Sequence, residues 1–144
     1  MNFKMIELTK EQVNIIEEKL EAYDEQYTKY PVNGKVQIGI EHDGRVIAGV
    51  DAVVTTFKIL YVSTVYVDED FRGQGLGRRL MKELEARAVE MGVNTIRLDT
   101  FDWQGSKFYP KIGYEEVGCY QNEVDGYSEH FFVKRLYPLK QVEK

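Results

Sequence analysis

Cysteine is nearly absent: Cys119 is the only one in 144 residues, so the chain has no internal disulfide and reads as the product of a reducing compartment. No apolar run approaches the roughly 20 residues of a membrane helix, and residues 1–10 have no apolar signal-peptide core. Three prolines and the lack of any low-complexity tract argue against linkers and disorder. Basic side chains are the minority, 19 against 24 acidic, for a net charge of −5. Such a domain gains nothing from general attraction to nucleic-acid phosphates. Together these absences predict a single domain over 1–144, cytoplasmic, without a nucleic-acid or membrane partner. An acidic surface suits cationic acceptors such as amines, although many soluble proteins share it.

What is present is a clear succession of periods. Residues 3–8 alternate and predict a first strand. Thr9 with Gln12 has the spacing of a capping box, and Val13, Ile16, Leu20 and Tyr23 then recur at helical spacing. Tyr27, Tyr30 and Pro31 open a loop that runs to Asn33-Gly34. Residues 36–41 and 45–57 are rich in Val and Ile, with Asp43-Gly44 marking a tight hairpin between them. Residues 59–67 add a third strand.

After Asp68-Glu69-Asp70-Phe71 comes a glycine-rich turn, then an amphipathic helix with Leu76, Leu80, Leu84, Ala88 and Met91 on one face, closed by Gly92. Strand 95–101, a short helix over 104–112 ending at Gly113, and strands 114–121 and 127–136 complete the chain. Strand–helix–strand implies a parallel pair. The order is β, α, three β, α, β, α, two β, an α/β (α+β) arrangement of a mixed sheet with helices packed on it.

The turn is the main chemical signal. In Arg72-Gly73-Gln74-Gly75-Leu76-Gly77, glycines at alternate positions let a ligand approach the backbone. The helix start adds unpaired N–H groups and the positive end of its dipole. With Arg72, Arg78 and Arg79 beside it, the predicted ligand is a pyrophosphate. Gly77 is followed by Arg78-Arg79, so the Gly-Lys-Ser/Thr ending of a P-loop is missing. The third glycine of a dinucleotide fingerprint is missing too, since Arg78 or Leu80 occupies its place.

From Val65 through Gly77 the chain resembles the acetyl-CoA segment of the GNAT superfamily of N-acetyltransferases, whose Arg/Gln-x-x-Gly-x-Gly/Ala pattern is met by Arg72, Gly75 and Gly77. Downstream, Phe108-Tyr109-Pro110-Lys111-Ile112-Gly113-Tyr114 is similar to that family's Phe/Leu-Tyr-x-x-x-Gly-Phe/Tyr element. The resemblance implies a GNAT-like, mainly antiparallel sheet of about seven strands with helices on both faces. It implies acetyl-CoA as co-substrate and direct transfer of its acetyl group to a small-molecule or peptide amine in a ternary complex. It also implies that the backbone of Tyr66 and Val67 binds the pantetheine arm while the amides of Arg72, Gly73, Gln74, Gly75, Leu76, Gly77 and Arg78 hold the pyrophosphate. Many relatives carry Asn where this chain has Asp102, and Gln104 is the expected replacement donor.

Chemistry at a thioester needs a proton removed from the amine and one supplied to the sulfur. Tyr109 occupies the family position of the acid, a phenol of ordinary pKa about 10 set against a thiol near 8.5. Candidate bases are Asp99, Asp51, the run Asp68-Glu69-Asp70, or a water chain. His42 reads as a solvated turn residue and His130 as a strand residue with a core or surface role. Two histidines and one cysteine lie far apart in the chain, so no metal is expected. Trp103 either lines an acceptor pocket or packs on the sheet, and residues 23–33 and 120–128 are the expected acceptor-shaping segments. A homodimer through the last strands is a further expectation. The alternatives are a non-catalytic acyl-CoA-binding sensor on the same fold and a nucleotide-binding module that uses only the anion turn.

Overall fold

The computed structural model describes residues 1–28 and 33–137. Tyr30 and Pro31 of the expected loop lie outside the described residues. The chain divides into two compact units, Met1–Pro31 and Val32–Lys144.

In the first unit, α1 (Lys10–Asp24) begins as its spacing predicts. Thr9 Oγ1 accepts from the Gln12 amide at 3.2 Å, and Gln12 Oε1 accepts from the Thr9 amide at 3.0 Å. This reciprocal cap satisfies two donors that every helix start leaves open. Residues 3–8 form no strand. Alternation alone does not make one: its backbone groups need a paired neighbour, and the described residues of this unit hold one helix and no strand.

The second unit opens with β1 (Lys35–His42) and β2 (Arg45–Val54), paired antiparallel through the expected turn. Asp43 and Gly44 both take positive φ, 50° and 74°, the pairing that lets a two-residue turn follow the twist of its strands. Next, β3 (Ile59–Val67) lies antiparallel on β2. The crossover helix α2 (Leu76–Glu90) then leads to β4 (Thr95–Phe101), which runs parallel to β3. The last elements are α3 (Phe108–Lys111), β5 (Glu115–Asn122) and β6 (Tyr127–Arg135). The strand order is β1-β2-β3-β4-β6-β5, six strands with one parallel pair. The sheet is therefore mixed and mainly antiparallel as expected, with six strands among the described residues rather than seven, since residues 3–8 form no strand.

Leu80, Met81, Leu84 and Ala88 of α2 meet Ile96, Leu98, Tyr109 and Phe132 in one core. The end of α2 explains its length. The Val93 amide bonds to Ala88 O and the Gly92 amide to Val89 O, with Gly92 at φ 82°, a closed left-handed cap that only glycine forms without strain. The helix expected over 104–112 is shorter than its pattern suggested. Gln104 Oε1 accepts from the Phe101 amide at 2.9 Å and Thr100 Oγ1 accepts from the Gly105 amide at 2.9 Å. These side chains satisfy donors in a turn, and helical geometry starts only at Phe108. No helix of the described residues is long and apolar enough to cross a membrane.

Candidate active site

The site begins where the sheet divides. β3 and β4 pair over only three rungs, Ile59↔Thr95, Leu60↔Ile96 and Tyr61↔Arg97. Beyond them β3 stays on β2 as far as Val67, while β4 stays on β6 as far as Phe101. A bulge causes the parting. Asp51 faces Thr64 but Ala52 faces Val62, so Ser63 is an extra residue that bends β3. Residues 62–67 and 98–101 therefore run on without a ladder between them, and Val67 presents its backbone on the opened edge of β3. Tyr66, opposite Gly49 in the same phase as the Asp68 N to Ile47 O bond, turns its backbone to β2, against the expectation for it. The Val67 carbonyl is already engaged: Arg72 Nε donates to it at 2.8 Å, with the guanidinium over the Tyr66 ring at 5.4 Å.

That edge leads straight to the glycine-rich turn. Gly73 has φ 78°, and Gly75, which caps α2, has φ 80°. A Cβ at either would meet nothing within 4 Å. α2 starts with no side-chain cap and no acidic residue in its first turn. Among the described residues nothing accepts a hydrogen bond from the amides of 73–78, the first helical bond being Arg79 N to Gly75 O. Unpaired donors, open space over two glycines and the positive helix end make an anion cradle. Leu76 is half-buried and starts the helix, while Gln74, Arg78 and Arg79 are exposed beside it. The Arg72 amide bonds to Glu69 O at 3.3 Å, so Arg72 braces the turn through both backbone and side chain. Arg87 is paired with Glu83 at 3.1 Å.

Tyr109 sits on α3 with 6% of its surface exposed. Its ring lies 5.2 Å from Phe108, 5.5 Å from Tyr114 and 5.9 Å from Phe132. Burial pushes its phenol up to about 12. Phe108 packs on the first turn of α2, where a Cβ on Gly77 would come to 3.4 Å from its ring tip. The fold thus brings the two motifs into contact through Gly77, Phe108 and Tyr109. The bulge at Ser63 carried no signal in the sequence, and the motif that begins at Phe108 did not say that its ring packs on Gly77.

The remaining candidates separate. Gln104 is exposed, with its carbonyl oxygen engaged by Phe101 in the turn above Tyr109. Asp99 accepts from the Tyr61 hydroxyl at 3.2 Å, and Asp51 accepts from Gln37 at 3.1 Å. Burial, then Asp99, raises the Tyr61 phenol. Asp68, Glu69 and Asp70 form the short turn leading to Arg72, and His42 lies on the rim beside Phe71, ring to ring at 5.4 Å. Trp103 is 69% exposed and stacks on Phe101 at 4.8 Å, with Tyr127 edge-on to both, so it stands on an aromatic platform rather than in the core. A depression of about 230 Å³ lies between Asp102, Asn122, Tyr127 and Ser128, within the expected acceptor-shaping stretch 120–128.

His130 is the residue that sequence reasoning undervalued. Its Nδ1 lies 2.5 Å from Glu116 Oε1 and its Nε2 2.6 Å from Asp102 Oδ1. Asp102 and then Glu116 raise the imidazole. The same bond to His130, with the Ser128 amide at 2.6 Å, holds Asp102 below the usual carboxylate range. Asp102 is therefore a tie between the turn after β4 and strand β6. Cys119, far from His130 in sequence, is its direct partner across the β5–β6 ladder.

The sequence profile described as "Acetyltransferase (GNAT) family" matches residues 4–114. Blasticidin-S acetyltransferase of Streptomyces morookaense is 37% identical over 78 residues, 54% of this chain and 57% of its own. The chain spans about half the length of the curated relatives first matched, 57% and 48%. An acetyltransferase from Bacillus cereus ATCC 14579 is 33% identical with a TM-score of 0.84, over 92% of this chain and 98% of that one. An aminoglycoside 6'-N-acetyltransferase complexed with coenzyme A shares the fold, at 18% identity and a TM-score of 0.66 over 90% of this chain and 88% of its own.

Proposed function

The chain belongs to the GNAT acetyltransferase family, and from that premise we propose that it transfers the acetyl group of acetyl-CoA to an amine by direct attack in a ternary complex. One observation carries the reading: Phe108 bridges Gly77 of the anion cradle and Tyr109 of the acid position. A binding module that used the turn alone would have no reason to set a buried phenol on the residue next to the one that packs on the turn.

The cradle fits a pyrophosphate, since the amides of 73–78 have no acceptor within the described chain and Gly73 and Gly75 leave open space above them. Arg78 supplies charge there, while Arg72 holds the end of β3 in place. The opened edge of β3 at Val67 receives the pantetheine arm in the manner of an added strand. Acetyl-CoA, when bound, supplies an acyl group activated as a thioester.

In the transfer, a C–N bond forms and a C–S bond breaks; the nitrogen loses a proton and the sulfur gains one. An amine arriving as ammonium loses a further proton to a base or to water. Tyr109 donates a hydrogen bond to the developing thiolate. Handing its proton over outright is uphill, because burial raises the phenol to about 12, above an ordinary thiol near 8.5. Tyr109 therefore passes its proton on only as it receives one from the attacking nitrogen. It stabilises the leaving group as a positioned donor and stays neutral. The acceptor is a small-molecule or peptide amine, met between the opened strands and the 120–128 segment.

A steady-state assay of CoA release against a panel of amines tests this. Turnover that needs an amine supports transfer; saturable CoA binding with no turnover on any amine returns the chain to a sensor.

A further inference from the structure

Glu116, Cys119 and His130 converge for a reason visible in the backbone. Residues three apart on a regular strand point to opposite faces. In β5 the ladder shifts: Glu116 faces Phe132, whereas Gly118 faces Phe131, leaving Val117 as an extra residue. That bulge turns Glu116 and Cys119 to the same face. Cys119 stands directly opposite His130, and Glu116 opposite Phe132, two residues along β6 on the same side. One ligand atom from each of Glu116, Cys119 and His130 lies within 4.8 Å of the others.

We propose that Glu116, Cys119 and His130 form a Zn²⁺ site on the β5–β6 hairpin, with Asp102 orienting the histidine from behind. A thiolate, an imidazole and a carboxylate suit a borderline-soft divalent ion and do not suit Mg²⁺ or Ca²⁺, which take oxygen. Asp102 holds Nε2 and leaves Nδ1 directed at Glu116, the carboxylate–histidine arrangement that fixes the ring behind zinc ligands. Tetrahedral Zn²⁺ places such ligand atoms roughly 3.3–3.7 Å apart. Glu116 and Cys119 are exposed and free to adjust: Glu116 moves back by about an ångström and Cys119 moves in. The thiol proton and the one shared by Nδ1 and Glu116 leave on binding, and water takes the fourth position. The ion would pin the hairpin that carries the 120–128 segment. This inference is independent of acetyl transfer.

Calorimetric titration of the full chain with ZnCl₂, beside MgCl₂, tests it, with Co²⁺ absorption as the reporter of thiolate coordination. The expected result is one equivalent of Zn²⁺ bound, a thiolate–Co²⁺ band, and no Mg²⁺ binding. Cys119→Ser and His130→Gln each raise the Kd at least tenfold, and Asp102→Asn raises it roughly 10–100-fold. Cys119 is exposed, so its variant folds and decides the matter even if His130→Gln does not. Absence of stoichiometric Zn²⁺ binding, an unchanged Kd in Cys119→Ser, or equal affinity for Mg²⁺ overturns the site.

Discussion

Gly77 and Phe108 are in contact distance across the site: a Cβ on Gly77 would stand 3.4 Å from Phe108 Cζ. The first turn of α2 thus touches α3, and the residue after Phe108 is the buried phenol. An alanine at 77 would meet that ring at ordinary van der Waals distance, whereas a larger side chain would push Phe108 and shift Tyr109 relative to the cradle. The glycine serves close approach here, while Gly73 and Gly75 serve backbone conformation.

Tyr109→Phe keeps the ring and its contacts with Phe108, Tyr114 and Phe132 and removes only the donor. CoA affinity, measured by calorimetry, should hold within a few-fold, and kcat with the best amine should fall roughly 10²–10⁴-fold. Full activity in the folded variant would assign the proton to solvent.

Gly75→Ala must be read against strain. Its φ of 80° costs an L-residue about 1–2 kcal/mol whatever the ligand does. Gly126 supplies the control, with φ 69° and equally open space above it, on the β5–β6 turn. Both alanine variants should lose similar stability, but only Gly75→Ala should weaken CoA binding. Equal CoA affinities would remove the pyrophosphate from this turn.

Arg78→Ala should lower CoA affinity more than Arg87→Ala, and the gap should narrow as salt is raised. Arg78 flanks the unpaired amides, whereas Arg87 sits over two turns along α2, paired with Glu83. Arg72→Ala should instead cost stability as well as affinity, because it removes the side chain that holds the Val67 carbonyl.

Local chemistry was legible in the sequence. The Thr9–Gln12 cap, the Asp43-Gly44 turn and the Gly92 helix end each depend on a few adjacent residues, and each formed as its spacing predicts. Residues 3–8 show the limit: alternation marks a segment able to pair, but pairing needs a partner that no pattern guarantees. The site residues divide the same way. The glycines of 73–77 are contiguous and announce themselves. The bulges at Ser63 and Val117 open the sheet and turn Glu116, yet a bulge is an extra residue in a ladder, visible only once the register is known. Asp102 and His130 meet from different elements, so nothing in either neighbourhood pointed to the other.

Alkaline pH gives a test that needs no acceptor. Burial pushes the Tyr109 phenol up to about 12 and raises Tyr114 as well, whose hydroxyl is buried without a hydrogen-bond partner. In the unfolded chain both ionise near 10. Below that, folded and unfolded states hold the same protons at these sites and stability is indifferent to them. Above it, the unfolded state releases protons that the folded state keeps, so unfolding is favoured increasingly as pH rises through 10 toward 12. For Tyr109 alone the loss approaches roughly 3 kcal/mol at the top of that window. Denaturant midpoints measured from pH 8 to 12 should therefore fall steeply above about 10, with phenolate absorption from these residues appearing together with unfolding. Tyr109→Phe should flatten the fall. The same shift keeps Tyr109 neutral through the working range, so any alkaline limb of kcat below about pH 11 belongs to another group. An equally steep fall in Tyr109→Phe would show that burial does not raise its phenol, and the fall would then belong to Tyr114 or to other groups.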